Sequence, residues 1–353
     1  MTSLLDLSFS ELKEFVTNQL QESPFRAKQI WIWLWRKRAK TFAEMTDLSL
    51  AIRSKLEQKA YIVRPELVTT QTSSDGTIKF LLKLADGALI ETVLIPSESK
   101  TGKRRLTQCL STQVGCAMGC TFCSTGTMGL VRNMTVAEIN GQVLAARDFL
   151  EDDPSDPSLR NLVFMGMGEP LHNFANLMKS LEILNDDQGM AFSARRITVS
   201  TSGVEKGLLE LGQSGLAYLA VSLHAPTQEL REQIMPRAAQ WSLDKLVKAL
   251  RSYPLQTRER LTFEYLLLGG INDTPQHAKD LSRLLSHIKA KLNLIAYNPT
   301  PGSPYTAPRP DNILAFQKIL WAKGIVATLR KSKGQDIDAA CGQLATKHST
   351  AEN

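Results

Sequence analysis

The chain has 353 residues, of which 43% are hydrophobic and 22% charged, so its composition is that of a soluble globular protein with a sizeable core. No apolar run approaches the length that spans a membrane, and the first residues lack the features of a signal peptide, which together predict a cytoplasmic protein. The net charge of +7 favours a polyanionic partner such as nucleic acid, although a soluble protein can also be basic without one.

The first 62 residues are predicted to form a small helical domain with a basic face. Apolar residues recur at helical spacing over 8–20, 25–40 and 46–59, and serines precede the first of these segments as candidate caps. Arginines and lysines follow the tryptophans of the second segment. The alternative interpretation is a solvated face that shields a hydrophobic helix.

Residues 63–105 are predicted to combine a short β extension with a polar connector. Three segments rich in β-forming residues, 69–72, 78–84 and 89–95, are separated by turn signals that contain Asp-Gly. This pattern predicts a short antiparallel sheet.

From 106 to 330, segments of β-forming residues alternate with helical patterns such as 136–149. This alternation predicts an α/β fold with a parallel sheet, either open or closed into a barrel, with its chemistry at the carboxyl ends of the strands. The remaining residues, 331–353, form a tail that carries the last cysteine, Cys341. An odd number of cysteines, five, argues against a disulfide framework in a reducing compartment.

Three of the five cysteines, Cys116, Cys120 and Cys123, follow the first predicted strand of this region. Three thiolates on one short loop suit an iron–sulfur cluster, whereas structural zinc usually takes four ligands. Three ligands leave one iron of a four-iron cluster open to a cofactor. The spacing is similar to that of the radical S-adenosylmethionine superfamily, which implies a partial (β/α)6 TIM-like barrel and a [4Fe-4S] cluster. A zinc knuckle and three unrelated buried thiols are the alternatives.

Polar residues follow the later strands, where the superfamily binds S-adenosylmethionine. Carbonyls and a carboxylate at a strand end accept hydrogen bonds from an ammonium group, and the glycines beside them allow close approach. Ser200 could instead cap a helix, His224 could be structural, and Asn298 could be a turn residue. The candidate cofactor contacts are Gly168, Glu169, Ser200, Ser222, Leu223, His224 and Asn298.

Several segments resemble the RlmN/Cfr family of radical methyltransferases, which methylate adenosine in RNA. The similarity covers nearly the whole chain, and its tail segment is the most specific part. The matching segments are 25–30, 90–96, 113–116, 132–135, 165–170, 222–226 and 336–344.

The resemblance implies a role for each remaining cysteine. Cys341 matches the position that is methylated by a first S-adenosylmethionine, while a second one yields the radical that takes hydrogen from this methyl group. Glu91 matches the proposed acceptor of the adenine ring proton, and Cys109 the thiol that resolves the protein–RNA adduct by forming a transient disulfide with Cys341. From the residues alone, both cysteines could be inert and Glu91 a solvated strand residue.

The resemblance also implies partners. These are 23S rRNA, a subset of tRNAs and a flavodoxin-type electron donor, for a chain expected to be a monomer. Carbon 2 of adenosine is the expected target, with carbon 8 (the Cfr branch) as the close alternative and a non-catalytic metal-containing RNA-binding protein as the distant one. Lys333 and Gln335 depart from the family pattern of Arg and Asp. The candidate RNA contacts are Arg26, Arg36, Lys37 and Arg38.

Overall fold

The N-terminal part of the computed structural model is helical. It begins with β1 (Thr2–Ser3), which pairs in parallel with β2 (Ala60–Tyr61). Between them lie α1 (Phe9–Glu14), α2 (Phe25–Trp31) and α3 (Leu50–Lys59), and π-type turns extend the first two helices to Gln19 and Arg36. The residues that the model describes are 1–98, 104–151, 158–256, 259–299 and 302–345.

Two of these helices begin at serine caps. Ser8 forms a capping box with Glu11, and the Ser49 side chain accepts from the Ile52 amide, so the third helix starts at Leu50 and not near residue 46 as the spacing predicted. The polar connector predicted at 97–105 is shorter than expected, because strands extend to Glu98 and begin again at Arg104, and the residues between them, 99–103, lie outside the described residues, as does the tail beyond 345.

One ten-stranded sheet organises the rest of the chain. Three antiparallel strands form one side of it, and seven parallel strands follow. In chain order its strands are β3 (Glu66–Thr72), β4 (Ile78–Lys83), β5 (Leu89–Glu98), β6 (Arg104–Cys109), β9 (Leu159–Phe164), β10 (Ile197–Thr201), β11 (Tyr218–Ser222), β12 (Leu261–Leu267), β13 (Ala290–Ala296) and β14 (Ala327–Arg330). A separate hairpin consists of β7 (Gln113–Gly115) and β8 (Leu130–Asn133).

Helices connect the parallel strands, as the alternating pattern predicts. The predicted helix at 136–149 is observed with the same bounds, because Thr135 and Glu138 form a capping box at its start. The helices of this region are α4 (Ser124–Thr127), α5 (Val136–Phe149), α6 (Phe174–Asn185), α7 (Leu208–Ser214), α8 (Gln228–Ile234), α9 (Leu243–Arg251), α10 (Pro275–Leu284) and α11 (Pro310–Ala322). In the described part of the chain, no helix has the length and apolarity needed to cross a membrane.

The sheet is rolled, because the tail after β14 contacts strands near its opposite edge. The Gly334 amide donates to Asp75 Oδ2, in the turn between β3 and β4, at 2.9 Å. Eight strand spacings separate β14 from β4, which is roughly 38 Å in a flat sheet. The four residues after Arg330 span at most roughly 14 Å. The two sides of the sheet therefore curve towards each other, as the predicted partial barrel requires.

The helical part packs against α5 and α6. The Asp6 carboxylate accepts from the Ala137 amide at 2.8 Å, and Glu11 forms an ion pair with Lys179 at 2.7 Å. The indole of Trp31 donates to Asp186 at 3.3 Å. A continuous hydrophobic core joins this part to the sheet, so the two form one body.

Candidate active site

The loop that carries Cys116, Cys120 and Cys123 starts at a close backbone crossing. Gly115 has a φ of +73°, and a Cβ atom there would lie 1.9 Å from the carbonyl oxygen of Gly129. Only glycine fits this position. The Cys116 amide then donates to the same carbonyl at 2.8 Å, which fixes the first cysteine against the β7–β8 hairpin.

The three thiols share an apolar environment. Burial raises the pKa of the Cys116 thiol to about 11, and it raises the pKa values of Cys120 and Cys123 as well. The charge of each of the other two raises the pKa of Cys120 further, so the three thiols lie near one another. Met118 and Phe122 are buried beside them. Binding of iron by thiolate sulfur would replace the protons that burial otherwise retains.

The arrangement fits a four-iron cluster better than a single ion. Among the described residues, no three Cys, His, Asp or Glu side chains converge as ligands of one metal ion. A structural zinc ion usually takes four ligands, whereas this loop supplies three thiols and each cysteine of a four-iron cluster binds a different iron. The donor set is three thiols on one loop, which leaves the fourth iron without a ligand from this loop.

Glu169 joins the ends of β9 and β10. Its Oε2 accepts from the amide and the hydroxyl of Ser202, both at 2.7 Å, and its Oε1 accepts from the Leu171 amide at 3.1 Å. The carboxylate is buried and keeps unused lone pairs for a ligand ammonium. Gly168 allows a close approach, because a Cβ atom there would lie 2.6 Å from the Cβ of Gln113. The glycine permits the strand ends to pack together.

The other candidate cofactor contacts lie at the following strand ends. Ser200 Oγ and Ser222 Oγ are 3.3 Å apart, and Ser200 lies within β10, so it is not a helix cap. His224 Nδ1 accepts from the Leu266 amide at 3.0 Å, and its ring packs edge-on against Phe122. Burial lowers the pKa of His224 to about 3, so its imidazole is neutral.

Asn298 follows β13 and contacts the tail. Its Nδ2 donates to Ser332 Oγ at 3.0 Å, and its Oδ1 accepts from Gln335 Nε2 at 2.6 Å. Gln335, one of the two positions that depart from the family pattern, therefore contacts a candidate cofactor residue. Lys333 is half-buried.

The segment that carries Cys341 is held between the cysteine loop and the β extension. The Ser124 amide donates to the Gly342 carbonyl at 2.7 Å, and Thr125 Oγ1 donates to the Leu344 carbonyl at 2.6 Å. On the other side the Ala345 amide donates to Glu91 Oε2 at 2.9 Å. Glu91 is buried, so it is not the solvated strand residue that its sequence allowed.

Cys109 and Cys341 are both free thiols, and they lie near each other. Cys109 is buried at the end of β6, and the charge of Cys341 adds to the burial that raises its pKa. The residue Cys341 as a whole is exposed to solvent. Its thiol nevertheless has many protein atoms around it, and this partial desolvation raises its pKa to about 11.

Sequence analysis missed Arg231, a fully buried cation on α8. Its guanidinium donates to the Leu223 carbonyl at 2.8 Å and to the Ser202 carbonyl, so it bridges two strand ends at the site. Burial lowers its pKa to about 10, and its charge acts on Cys120. Nothing in the sequence distinguishes it from an exposed helical arginine.

The four candidate RNA contacts differ in their availability. Arg36 and Lys37 are exposed, and the Lys37 ammonium lies 3.6 Å from the centroid of the Trp33 ring. Arg38 forms an ion pair with Asp148 at 3.0 Å, and Arg26 is half-buried and donates to a neighbouring glutamine. Arg36 and Lys37 thus offer the more accessible charge.

Comparison with known proteins identifies the family. Residues 2–62 match the "Ribosomal RNA large subunit methyltransferase N-terminal domain" model, and residues 110–284 match that of the radical SAM superfamily. A protein of Nitratidesulfovibrio vulgaris (strain Hildenborough) named dual-specificity RNA methyltransferase RlmN is 65% identical, over 98% of this chain and 95% of its own. The chain belongs to the RlmN family.

Other relatives agree with this assignment. The RlmN protein of Lawsonia intracellularis is 58% identical over 99% of this chain and 98% of its own. The crystal structure of a radical SAM methyltransferase from Sphaerobacter thermophilus is 42% identical, with a TM-score of 0.89 over 98% of this chain and 99% of that one. As a member of this family, the chain is a radical S-adenosylmethionine methyltransferase whose cofactors are a four-iron cluster and S-adenosylmethionine.

Proposed function

We propose that this protein methylates carbon 2 of an adenosine in the peptidyl-transferase centre of 23S rRNA, and the adenosine 3′ of the anticodon in a subset of tRNAs. The observation that carries this proposal is the position of the Cys341 segment, which lies between the cysteine loop, Glu91 and Cys109. The names of the relatives support RNA as the substrate and favour the RlmN branch over carbon-8 methylation.

In this proposal Cys116, Cys120 and Cys123 hold the cluster, and the residues at the strand ends hold S-adenosylmethionine. When bound, the cluster supplies the electron that cleaves this cofactor and so makes the carbon radical that the methylation requires. The buried Glu169 carboxylate orients the ammonium group of the cofactor, and the Ser200 and Ser222 hydroxyls contact its polar edges. Leu223, neutral His224 and Asn298 complete the contacts.

Cys341 carries the methyl group in two stages. Its thiolate attacks the methyl carbon of a first S-adenosylmethionine, so that a bond forms between the Cys341 sulfur and this carbon while the sulfonium–carbon bond breaks and S-adenosylhomocysteine leaves. When a second S-adenosylmethionine is cleaved, the resulting radical would take one hydrogen atom from this methyl group, which leaves methionine and 5′-deoxyadenosine. The methylene carbon would then add to carbon 2 of the adenine, and the adduct would return one electron to the oxidised cluster as it loses the ring proton. Two molecules of the cofactor are therefore used in each turnover. Glu91 accepts the ring proton, for which a buried carboxylate with a raised pKa is suited.

Cys109 releases the product. Its sulfur attacks the sulfur of Cys341, which breaks the bond between that sulfur and carbon and forms a disulfide. The methylene carbon that remains on the base takes a proton and becomes the methyl group. A flavodoxin-type donor supplies the electron for the cluster, the disulfide must be reduced before the next turnover, and the chain acts as a cytoplasmic monomer.

The helical segment 1–62 serves as the RNA-binding domain, followed by the β extension with its connector (63–105), the catalytic barrel (106–330) and the tail (331–353). Arg36 and Lys37 are the preferred phosphate contacts because they are exposed, and Arg26 and Arg38 support them. The target adenine is flipped out of the folded RNA to reach Cys341.

The test incubates reduced, reconstituted protein with S-adenosylmethionine and a 23S rRNA fragment, and compares the nucleosides by mass spectrometry with 2-methyl- and 8-methyladenosine. We expect 2-methyladenosine alone. Cys341→Ala should abolish turnover, and Cys109→Ala should trap a covalent RNA adduct. Formation of 8-methyladenosine would assign the protein to carbon 8, and full turnover by Cys341→Ala would refute the carrier role.

A further inference from the structure

Lys79 is a largely buried cation that neither the sequence nor the family resemblance singled out. It lies on β4 and pairs with Val93 of β5. Glu91 is two residues before Val93 on β5, so the side chains of Lys79 and Glu91 emerge on the same face of the sheet. Lys79 Nζ is 3.2 Å from Glu91 Oε1, and the two side chains are only 11% and 6% exposed. A buried lysine is costly unless it has such a partner.

Two charged groups among the described residues act most strongly on Glu91. Lys79 faces it from β4, and Asp338 of the tail acts on it from the other side with the same charge as its own. Three uncharged groups form further hydrogen bonds with Glu91: the Ala345 amide donates to Oε2, while the Met167 sulfur and the Ser111 hydroxyl contact the Glu91 backbone. Lys79 therefore supplies the main positive charge at this carboxyl group.

Burial and Lys79 act on Glu91 in opposite directions. Burial raises the pKa of the carboxyl group, as does Asp338, whereas Lys79 lowers it through its charge and its hydrogen bond. Without Lys79 the carboxyl group would keep its proton at higher pH. A protonated carboxylic acid cannot accept the proton of a ring carbon, so the lysine decides the pH range in which this group can act.

We propose that Lys79 is a positioning residue that keeps Glu91 ionised and aligned for proton acceptance while the Cys341 segment is in place. The same ammonium group donates to the Asp338 carbonyl at 3.4 Å, so one side chain aligns the base and contacts the tail. The inference rests on the proposed function, because it takes Glu91 as the proton acceptor.

The first test measures the ionisation of Glu91 directly. In the full chain labelled with ¹³C at the glutamate carboxyl carbons, the Glu91 resonance is the one that Glu91→Gln removes. We expect its pKa to rise by about one unit or more in Lys79→Met and in Lys79→Gln, since a close opposite charge shifts a carboxyl pKa by about 1–3 units. Lys83→Met, on the same strand but exposed, is the matched control and should change nothing. An unchanged Glu91 titration in both Lys79 variants would overturn the inference.

The second test follows methylation against pH. We expect the acid limb of kcat to move up in pH by the same amount in Lys79→Gln, with activity regained at high pH, and Lys79→Arg to stay close to wild type. A loss that is equal at every pH would show a merely structural role and would also overturn the inference. Full activity of Glu91→Gln would instead refute the proton-acceptor role of Glu91, whatever the titration shows, so the two failures are distinguishable.

Discussion

The buried hydroxyl of Thr125 holds the segment that carries Cys341 against the cysteine loop. Thr125 is 3% exposed, and its Oγ1 donates to the Leu344 carbonyl at 2.6 Å. Thr125→Val preserves the shape of the side chain and removes the donor, so the carbonyl loses its partner. A buried acceptor left without a partner costs about 1–3 kcal/mol. We expect the free energy of opening of the tail to fall by about 1–2 kcal/mol, because the open tail regains water.

Hydrogen exchange measures this opening. A loss of about 1–2 kcal/mol corresponds to exchange that is about 5- to 30-fold faster at the amides of residues 340–345. Methyl transfer to Cys341, followed by mass spectrometry of the tail peptide, should slow in parallel.

The matched control for Thr125→Val lies in the same short helix. The Thr127 hydroxyl donates to Ser124 at 2.8 Å but is exposed, so Thr127→Val should leave tail exchange within about twofold of wild type. Equal rates of hydrogen exchange at the tail amides in Thr125→Val and Thr127→Val would refute the prediction that the Thr125 hydroxyl holds the tail.

Three further changes test other parts of the site. Gly115→Ala should prevent the β7–β8 crossing and with it cluster assembly, measured as iron bound per chain after reconstitution. Arg231→Met leaves two buried carbonyls unpaired and should lower the free energy of unfolding by about 2–5 kcal/mol, whereas exposed Arg195→Met should change it by less than about 0.5 kcal/mol in the same denaturant titration. Reversal of charge in Arg36→Glu and Lys37→Glu should weaken RNA binding most at low salt and flatten its salt dependence, which filter binding at several salt concentrations would check.

Local signals predicted much of the fold. The helix at 136–149 carries its own start signal, Thr135 with Glu138, so its bounds follow from neighbouring residues alone. The short strand β8 has no such signal, because its four residues pair with β7 only where the backbones of Gly115 and Gly129 pass close to each other. The sequence was therefore informative where structure depends on nearby residues, and less so where it depends on distant backbone contacts.

The candidate site also combines residues that local sequence identifies with residues whose roles depend on distant partners. The spacing of the three loop cysteines is visible in the sequence, but Arg231 and Lys79 acquire their importance only from partners far along the chain. Lys79 looks like a strand residue exposed to solvent until β5 and the tail cover it. Glu91 was identified through the family resemblance, and its burial between β4 and the tail was not predictable from its position.

The antiparallel strands β3, β4 and β5 bind the tail at two places. The Asp336 carboxylate accepts from the Ser73 hydroxyl at 2.6 Å, and Asp75 accepts from the Gly334 amide, so the β3–β4 turn binds the tail at its start. Glu91 binds it again at Ala345. A cysteine between two such anchors is confined to the region where β5 and β6 adjoin the cysteine loop. In the proposed mechanism Cys341 meets a methyl donor, an adenine and a second thiol in succession, and this confinement supports that sequence better than a tail fixed at one end alone would.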